Sequence, residues 1–247
     1  MTQQVQLLAV EGLPEVRPGD DLAKQISDRA TFEPGDILVV AQKVVSKSEG
    51  RLVDVRTVEA GDDAVQIAPR LVAKPDPRMV QVVLNESVRV LRSERVLITE
   101  TRHGFVCANA GVDHSNTGGE NILTLLPLDP DASAIRLRER VRELTGKEVG
   151  VIISDTFGRP WRLGITNVAL GVAGLPAVLD LRGTPDDGGH TLNATVLAIA
   201  DDIASAAGLV MGKTARTPAV IARGLDLGGG PGSGRDLIRP AAEDLFR

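Results

Sequence analysis

Tyrosine is absent from the 247-residue sequence, and tryptophan and cysteine each occur once. So few rings exclude recognition built on stacked aromatic platforms, the device of single-strand nucleic-acid binders. The lone Cys107 excludes an internal disulfide and fits a reducing compartment, so a cytoplasmic location is expected. It has no nearby zinc-ligand partner and reads as a small buried hydrophobe; His103, His114 and His190 also lack zinc spacing. No apolar run reaches the roughly 20 residues of a membrane helix. The start Met1-Thr2-Gln3-Gln4 is too polar for a signal peptide. A net charge of −5, with Lys and Arg dispersed, gives no electrostatic reason to expect nucleic acid. No nucleophile elbow appears. Gly212-Lys213-Thr214 lacks the upstream glycine of a phosphate-binding loop, because residue 207 is Ala. The glycine-rich run 228–234 lacks the Lys-Ser/Thr ending and reads as a mobile surface loop.

What is present is an ordinary globular composition, long enough for one domain or two unequal lobes. Val5 to Val10, Ile37 to Ala41, Val149 to Ile153 and Ala219 to Ala222 are short β-branched runs that predict strands. Val96 to Thr99 and Gly104 to Ala108 predict a hairpin. Helices are expected after a cap at Asp20 or Asp21, with Leu22 and Ile26 inward, and over Ser133 to Leu144 before Gly146. The second of these is expected to bury Ile135, Val141 and Leu144. Two further helices are predicted over 76–91, from Met79, Val83, Val88 and Leu91, and over 192–211, from Val196, Ile199, Ile203 and Val210. Gln42 to Arg51 reads as charged residues beside a strand, either solvated or facing phosphates.

Two stretches share one design. In each, an apolar strand runs out into polar residues that include an aspartate: Asp155 after Ile152-Ile153-Ser154, and Asp113 after Gly104 to Ala108. A carboxylate held by a strand end yet reaching solvent suits a metal ligand, and two of them can clamp divalent ions between phosphate oxygens. The plain alternative is a structural Asp capping its own turn. A turn on Gly158 and Pro160 is expected to follow Asp155. Arg159 and Arg162 then fall in one loop, either solvated or placed for a phosphate or carboxylate.

Four motifs in order, Glu11-Gly12-Leu13-Pro14, Val45 to Arg51, Asn109 to Asn116 and Ser154 to Arg162, resemble the coenzyme F-420-0:L-glutamate ligase (gamma-glutamyl ligase) family end to end. The likeness includes the ligase part of a longer actinobacterial form. It implies an α+β fold with mixed sheets, packed helices, two unequal lobes and an intertwined homodimer. Residues 1–247 would be one ligase domain, without the nitroreductase-like domain of the longer form. The implied reaction joins L-glutamate to the deazaflavin coenzyme F-420-0, driven by GTP through an acyl phosphate, with Mg²⁺ or Mn²⁺ (two ions) and K⁺. By the same resemblance Asp113 and Asp155 are metal ligands, with Lys47 joining them in catalysis. Glu11, Gly12, Leu13, Pro14, Gln42, Lys43, Lys47, Asn116, Thr156, Leu209, Val210, Met211, Gly212 and Lys213 line the nucleotide site. Arg159 and Arg162 are expected to hold the coenzyme or glutamate, and Trp161 either packs on the deazaflavin or is an ordinary buried residue. Metal-dependent phosphohydrolysis and non-catalytic nucleotide binding are the rival readings.

Overall fold

The computed structural model describes residues 4–114, 119–212, 215–227 and 229–244. In chain order the elements are β1 (Gln6–Ala9), α1 (Leu22–Ser27), β2 (Ile37–Ala41), α2 (Gln42–Ser48), β3 (Leu52–Asp54), α3 (Asp62–Ile67) and α4 (Pro77–Asn85). There follow β4 (Ser87–Glu94), β5 (Val96–Thr101), β6 (Val106–Ala108), β7 (Ile122–Thr124), α5 (Pro130–Thr145), β8 (Gly150–Arg159) and β9 (Arg162–Ala173). The last are β10 (Leu179–Asp180), β11 (Val196–Leu197), α6 (Ile199–Met211) and β12 (Ala219–Arg223). The fold is α+β, as expected.

The organising element is a five-stranded sheet in the order β1-β12-β2-β8-β9. Only β2 and β8 run parallel; the other neighbours are antiparallel. Alternation along β2 divides the core. Leu38 and Val40 pack with α1, α2 and α5 on one face, whereas Ile37 and Val39 pack with α6 on the other. Residues 52–124 form two smaller sheets, β3-β7 and β4-β5-β6, around their own apolar clusters with α3 and α4.

The caps explain where α1 and α5 begin and end. Asp21 accepts the Lys24 N–H at the start of α1, and Asp129 accepts the Ala132 N–H at the start of α5. Gly146 ends α5 at φ 69°, a left-handed position that costs glycine little.

Several expectations are corrected. Gln42 to Ser48 is a helix, begun directly off β2, and not a charged strand edge. The helix over 76–91 stops at Asn85. Ser87 onward alternates every second residue and is drawn into a ladder with β5, leaving Val88 62% exposed. The helix over 192–211 begins only at Ile199, because Val196 and Leu197 pair with Leu179 and Asp180. On α5, Ala134 and Leu137 join Val141 in the core, while Ile135 and Leu144 are exposed.

The glycine-rich tail is also tethered where it was expected to be mobile. Asp131 in the first turn of α5 accepts from Gly234 N at 2.8 Å and from the Ser233 hydroxyl at 2.5 Å. The same carboxylate takes Val172 N of β9 at 2.8 Å, so one partly buried junction joins helix, sheet and tail.

Candidate functional site

The polar residues picked out in sequence gather at the carboxyl end of the parallel pair β2/β8, the end of an open sheet where backbone runs out and ligands bind. Ala41 is the register partner of Ser154, which sets Gln42 and Asp155 at the same level. At that end the Ala41 N–H also donates to Pro218 O at 2.7 Å, and the Val10 N–H donates to Ala219 O at 3.0 Å. The loop after β1, containing Glu11 to Pro14, and the approach to β12 from α6 therefore meet there.

The α2 helix carries the cations. Lys43 Nζ lies 2.6 Å from Asp113 Oδ2, and Lys47, one turn later on the same face, pairs with Glu15. Glu15 follows the 11–14 loop, so this ion pair closes that loop over α2. The loop is anchored on its other side by Gly12 O, which accepts Arg29 Nε at 2.8 Å. Gln42 is buried, and its amide donates to Ser46 Oγ at 2.7 Å and Leu125 O at 2.9 Å.

Asp113 is brought in by β7. Its backbone exchanges two hydrogen bonds with Thr124, at 3.0 and 2.7 Å, next to the Leu125 carbonyl that Gln42 holds. Both carboxylates therefore converge on the first turn of α2, Asp155 by strand register and Asp113 through Lys43.

Two hard oxygen donors fit a divalent ion. Thr124, the bridge partner of Asp113, has a buried Oγ1 with no hydrogen-bond partner among the described residues. A cation with its water shell would satisfy such an oxygen, so the residues present fit the group. No cluster of three or more His, Cys, Asp or Glu is found among the described residues, which leaves the rest of the ion's shell to water or phosphate.

Asp155 is not at a strand end. The strand β8 continues to Arg159 and turns only at Pro160-Trp161, because β9 supplies a full antiparallel partner. Arg159 and Arg162 are a cross-strand pair at the exposed hairpin tip, about 13 Å along β8 from Asp155. Arg159 Nη2 donates to Leu163 O. Trp161 is 79% exposed and Leu163 95%, so the reading of Trp161 as an ordinary buried residue is overturned.

Thr156 belongs to the α6 side of the sheet. Its hydroxyl donates to Asn167 Oδ1 at 3.3 Å, and Asn167 Nδ2 lies 3.7 Å from Met211 Sδ. Sequence reasoning missed Asn167, which links Thr156 to the end of α6 where Leu209, Val210, Met211 and Gly212 sit. An amide on the inward register partner of a threonine was the available signal. Leu209 is 84% exposed. The expected nucleotide residues thus share one end of the sheet but divide over its two faces. Asn116 and Lys213 lie outside the described residues.

Cys107 on β6 is buried, and its thiol is pushed up to about 12, first by burial and then by the negative charge of Asp155. A raised thiol pKa keeps the neutral form at all ordinary pH, and the thiolate is the reactive species. Folded protein treated with iodoacetamide near pH 8 is expected to show no carbamidomethylation of Cys107 by mass spectrometry, against complete labelling in denaturant. Rapid labelling of the folded chain would contradict this environment.

An end of a mixed sheet that combines two carboxylates with lysines offers groups that could hold a divalent ion and neutralise an anion. The profile of the F420-0:Gamma-glutamyl ligase family matches residues 12–224, and the chain belongs to that family. A protein named coenzyme F420:L-glutamate ligase from Methanopyrus kandleri is 47% identical over 249 residues, covering 97% of this chain and 98% of that protein. The protein of the same name from Archaeoglobus fulgidus is 46% identical, over 99% of this chain and 97% of its own. That from Methanocaldococcus jannaschii is 42% identical, over 99% and 98%. Among the described residues no helix is long and apolar enough to cross a membrane.

Proposed function

We propose that the protein joins L-glutamate to the deazaflavin coenzyme F-420-0, and extends the γ-linked chain, at the expense of GTP. The observation that carries this reading is the convergence of Asp113, Asp155, Lys43 and Lys47 on one end of the sheet, in a chain that matches named ligases over almost its whole length.

A carboxylate does not acylate an amine directly. A carboxylate oxygen of the coenzyme attacks the γ-phosphorus of GTP, the bond to the bridging oxygen breaks, and GDP leaves. The amino group of glutamate then attacks the acyl carbon, loses a proton, and expels inorganic phosphate. Phosphoryl transfer of this kind is served mainly by positioning and neutralised charge.

Asp113 and Asp155 would hold Mg²⁺ or Mn²⁺, two ions in the fullest form of the reading, and the ions would neutralise the triphosphate. Lys47 exchanges Glu15 for a phosphate oxygen, and Lys43 exchanges Asp113 likewise. The 11–14 loop would then close over the nucleotide. K⁺ and a homodimer complete the reading, with a cytoplasmic location. The exposed Leu209 and the apolar hairpin tip at Trp161 and Leu163 support a junction that brings the two faces of the site together.

The test is mass spectrometry of the deazaflavin after incubation with GTP, Mg²⁺ and glutamate, with GDP followed in parallel. A product heavier by one or more glutamyl residues is expected, with GDP release that requires glutamate. GDP release at the same rate without glutamate would establish a phosphohydrolase instead. Saturable GTP binding with neither product would leave only a binding module.

A further inference from the structure

A second polar cleft, of about 630 Å³, lies between the β4–β5 ladder and the C-terminal segment. Four arginines line it, Arg89, Arg102, Arg235 and Arg239, against two carboxylates, Glu100 and Asp244, leaving an excess of two positive charges in a chain of net charge −5. Arg89 is occupied by Glu100, at 2.6 Å, and Arg102 by the Asn85 carbonyl, at 2.8 Å. The guanidinium groups of Arg235 and Arg239 make no hydrogen bond or ion pair with a described residue.

The walls are fixed. Ile238 packs against Gly104, where an added Cβ would come within 3.3 Å of its side chain. His103 turns Nε2 toward the carbonyls of Pro127 and Leu128, at 2.9 and 3.1 Å. Its Nδ1 is buried with no partner among the described residues. The cleft is distinct from the site at Asp155. Phe105 separates them, stacked on His103 at 5.7 Å and edge-on to Phe157 at 6.4 Å.

We infer that this cleft is a binding site for a multiply charged oxyanion, a small molecule carrying at least two carboxylate or phosphate groups. The volume lies within the range of small-molecule sites and exceeds what a single phosphate fills. The surplus of two charges matches a dianion. Arginine forks are suited to both oxyanion chemistries, and two of the four have their donors available to a ligand.

Isothermal titration of the full chain with γ-glutamylglutamate and with pyrophosphate tests this, using glutamine as the comparison without net charge. Wild type is compared with Arg235→Ala/Arg239→Ala, and with Arg235→Lys/Arg239→Lys to restore charge alone; circular dichroism checks the fold of each. At least one anion is expected to bind saturably and to weaken at least ten-fold in the alanine pair, with partial recovery in the lysine pair and no heat from glutamine. Binding of the dipeptide alone assigns a carboxylate ligand, and binding of pyrophosphate alone a phosphate ligand. Binding elsewhere, including at the nucleotide site, would be equal in wild type and variants. Equal affinity in the alanine pair, or no saturable component in wild type, overturns the inference.

Discussion

Asp113→Asn and Asp155→Asn are each expected to lower glutamate-dependent GDP release by about a hundred- to a thousand-fold, the range seen when one transition-state charge contact is removed. The amide keeps the shape of the carboxylate but loses the charge that would hold a divalent ion. Calorimetric titration with Mn²⁺ should show weakened binding in both variants. If the two carboxylates act on one cation-bridged triphosphate, as proposed, the double variant should be little worse than either single one.

The fold should survive these changes. Asp113 is paired with Lys43 near the surface, with 43% of its side chain exposed, and an exposed pair of this kind contributes about 0–1 kcal/mol. A normal circular dichroism spectrum with unchanged Mn²⁺ affinity in both variants would remove these two residues from the proposed chemistry.

Gly171→Ala is expected to be among the most damaging single-methyl changes in the molecule. A Cβ on Gly171 of β9 would stand 2.2 Å from Pro130 O and 2.3 Å from its carbonyl carbon. Both are backbone atoms in the first turn of α5, so no side chain can rotate aside. The helix must lift from the sheet, which pulls on the Asp131 carboxylate and its bonds to Val172, Ser233 and Gly234. A loss of about 3 kcal/mol is expected from overpacking. That lowers the melting temperature by roughly 6–12 °C for a chain of this size. Thermal melts followed by circular dichroism check it, and an unshifted midpoint would mean that α5 does not press on β9 this closely.

Much of the central sheet was legible in order. Ile37 to Ala41 and Val149 to Ile153 are short apolar runs rich in Val and Ile, and a strand covered on both faces has that pattern. A cap at Asp20 or Asp21, which the structure places at Asp21, and the stop at Gly146 were legible for a local reason, since their geometry is decided within a few residues.

Errors arose where a distant partner overrode local spacing. Val88 and Leu91 fit a helical period, yet β5 offered hydrogen bonds that a strand at 87–94 could take. Asp155 looked like the end of its strand because apolarity stops at Ser154. Its β9 partner begins only at residue 162 and carries the ladder on to Arg159. Burial was one of the two expectations for Trp161, and the length of that hairpin puts it outside.

The sequence alone determined which residues carry charge and which runs form the buried strands, because both depend on side-chain type and near neighbours. It also determined the family, through four motifs in fixed order. Tertiary structure decided which charges meet. The β2/β8 register sets Asp155 beside the start of α2, and the Thr124 bridge delivers Asp113 to Lys43. Such pairings join positions far apart in the chain by backbone hydrogen bonds, which carry no trace in the identity of the residues that make them.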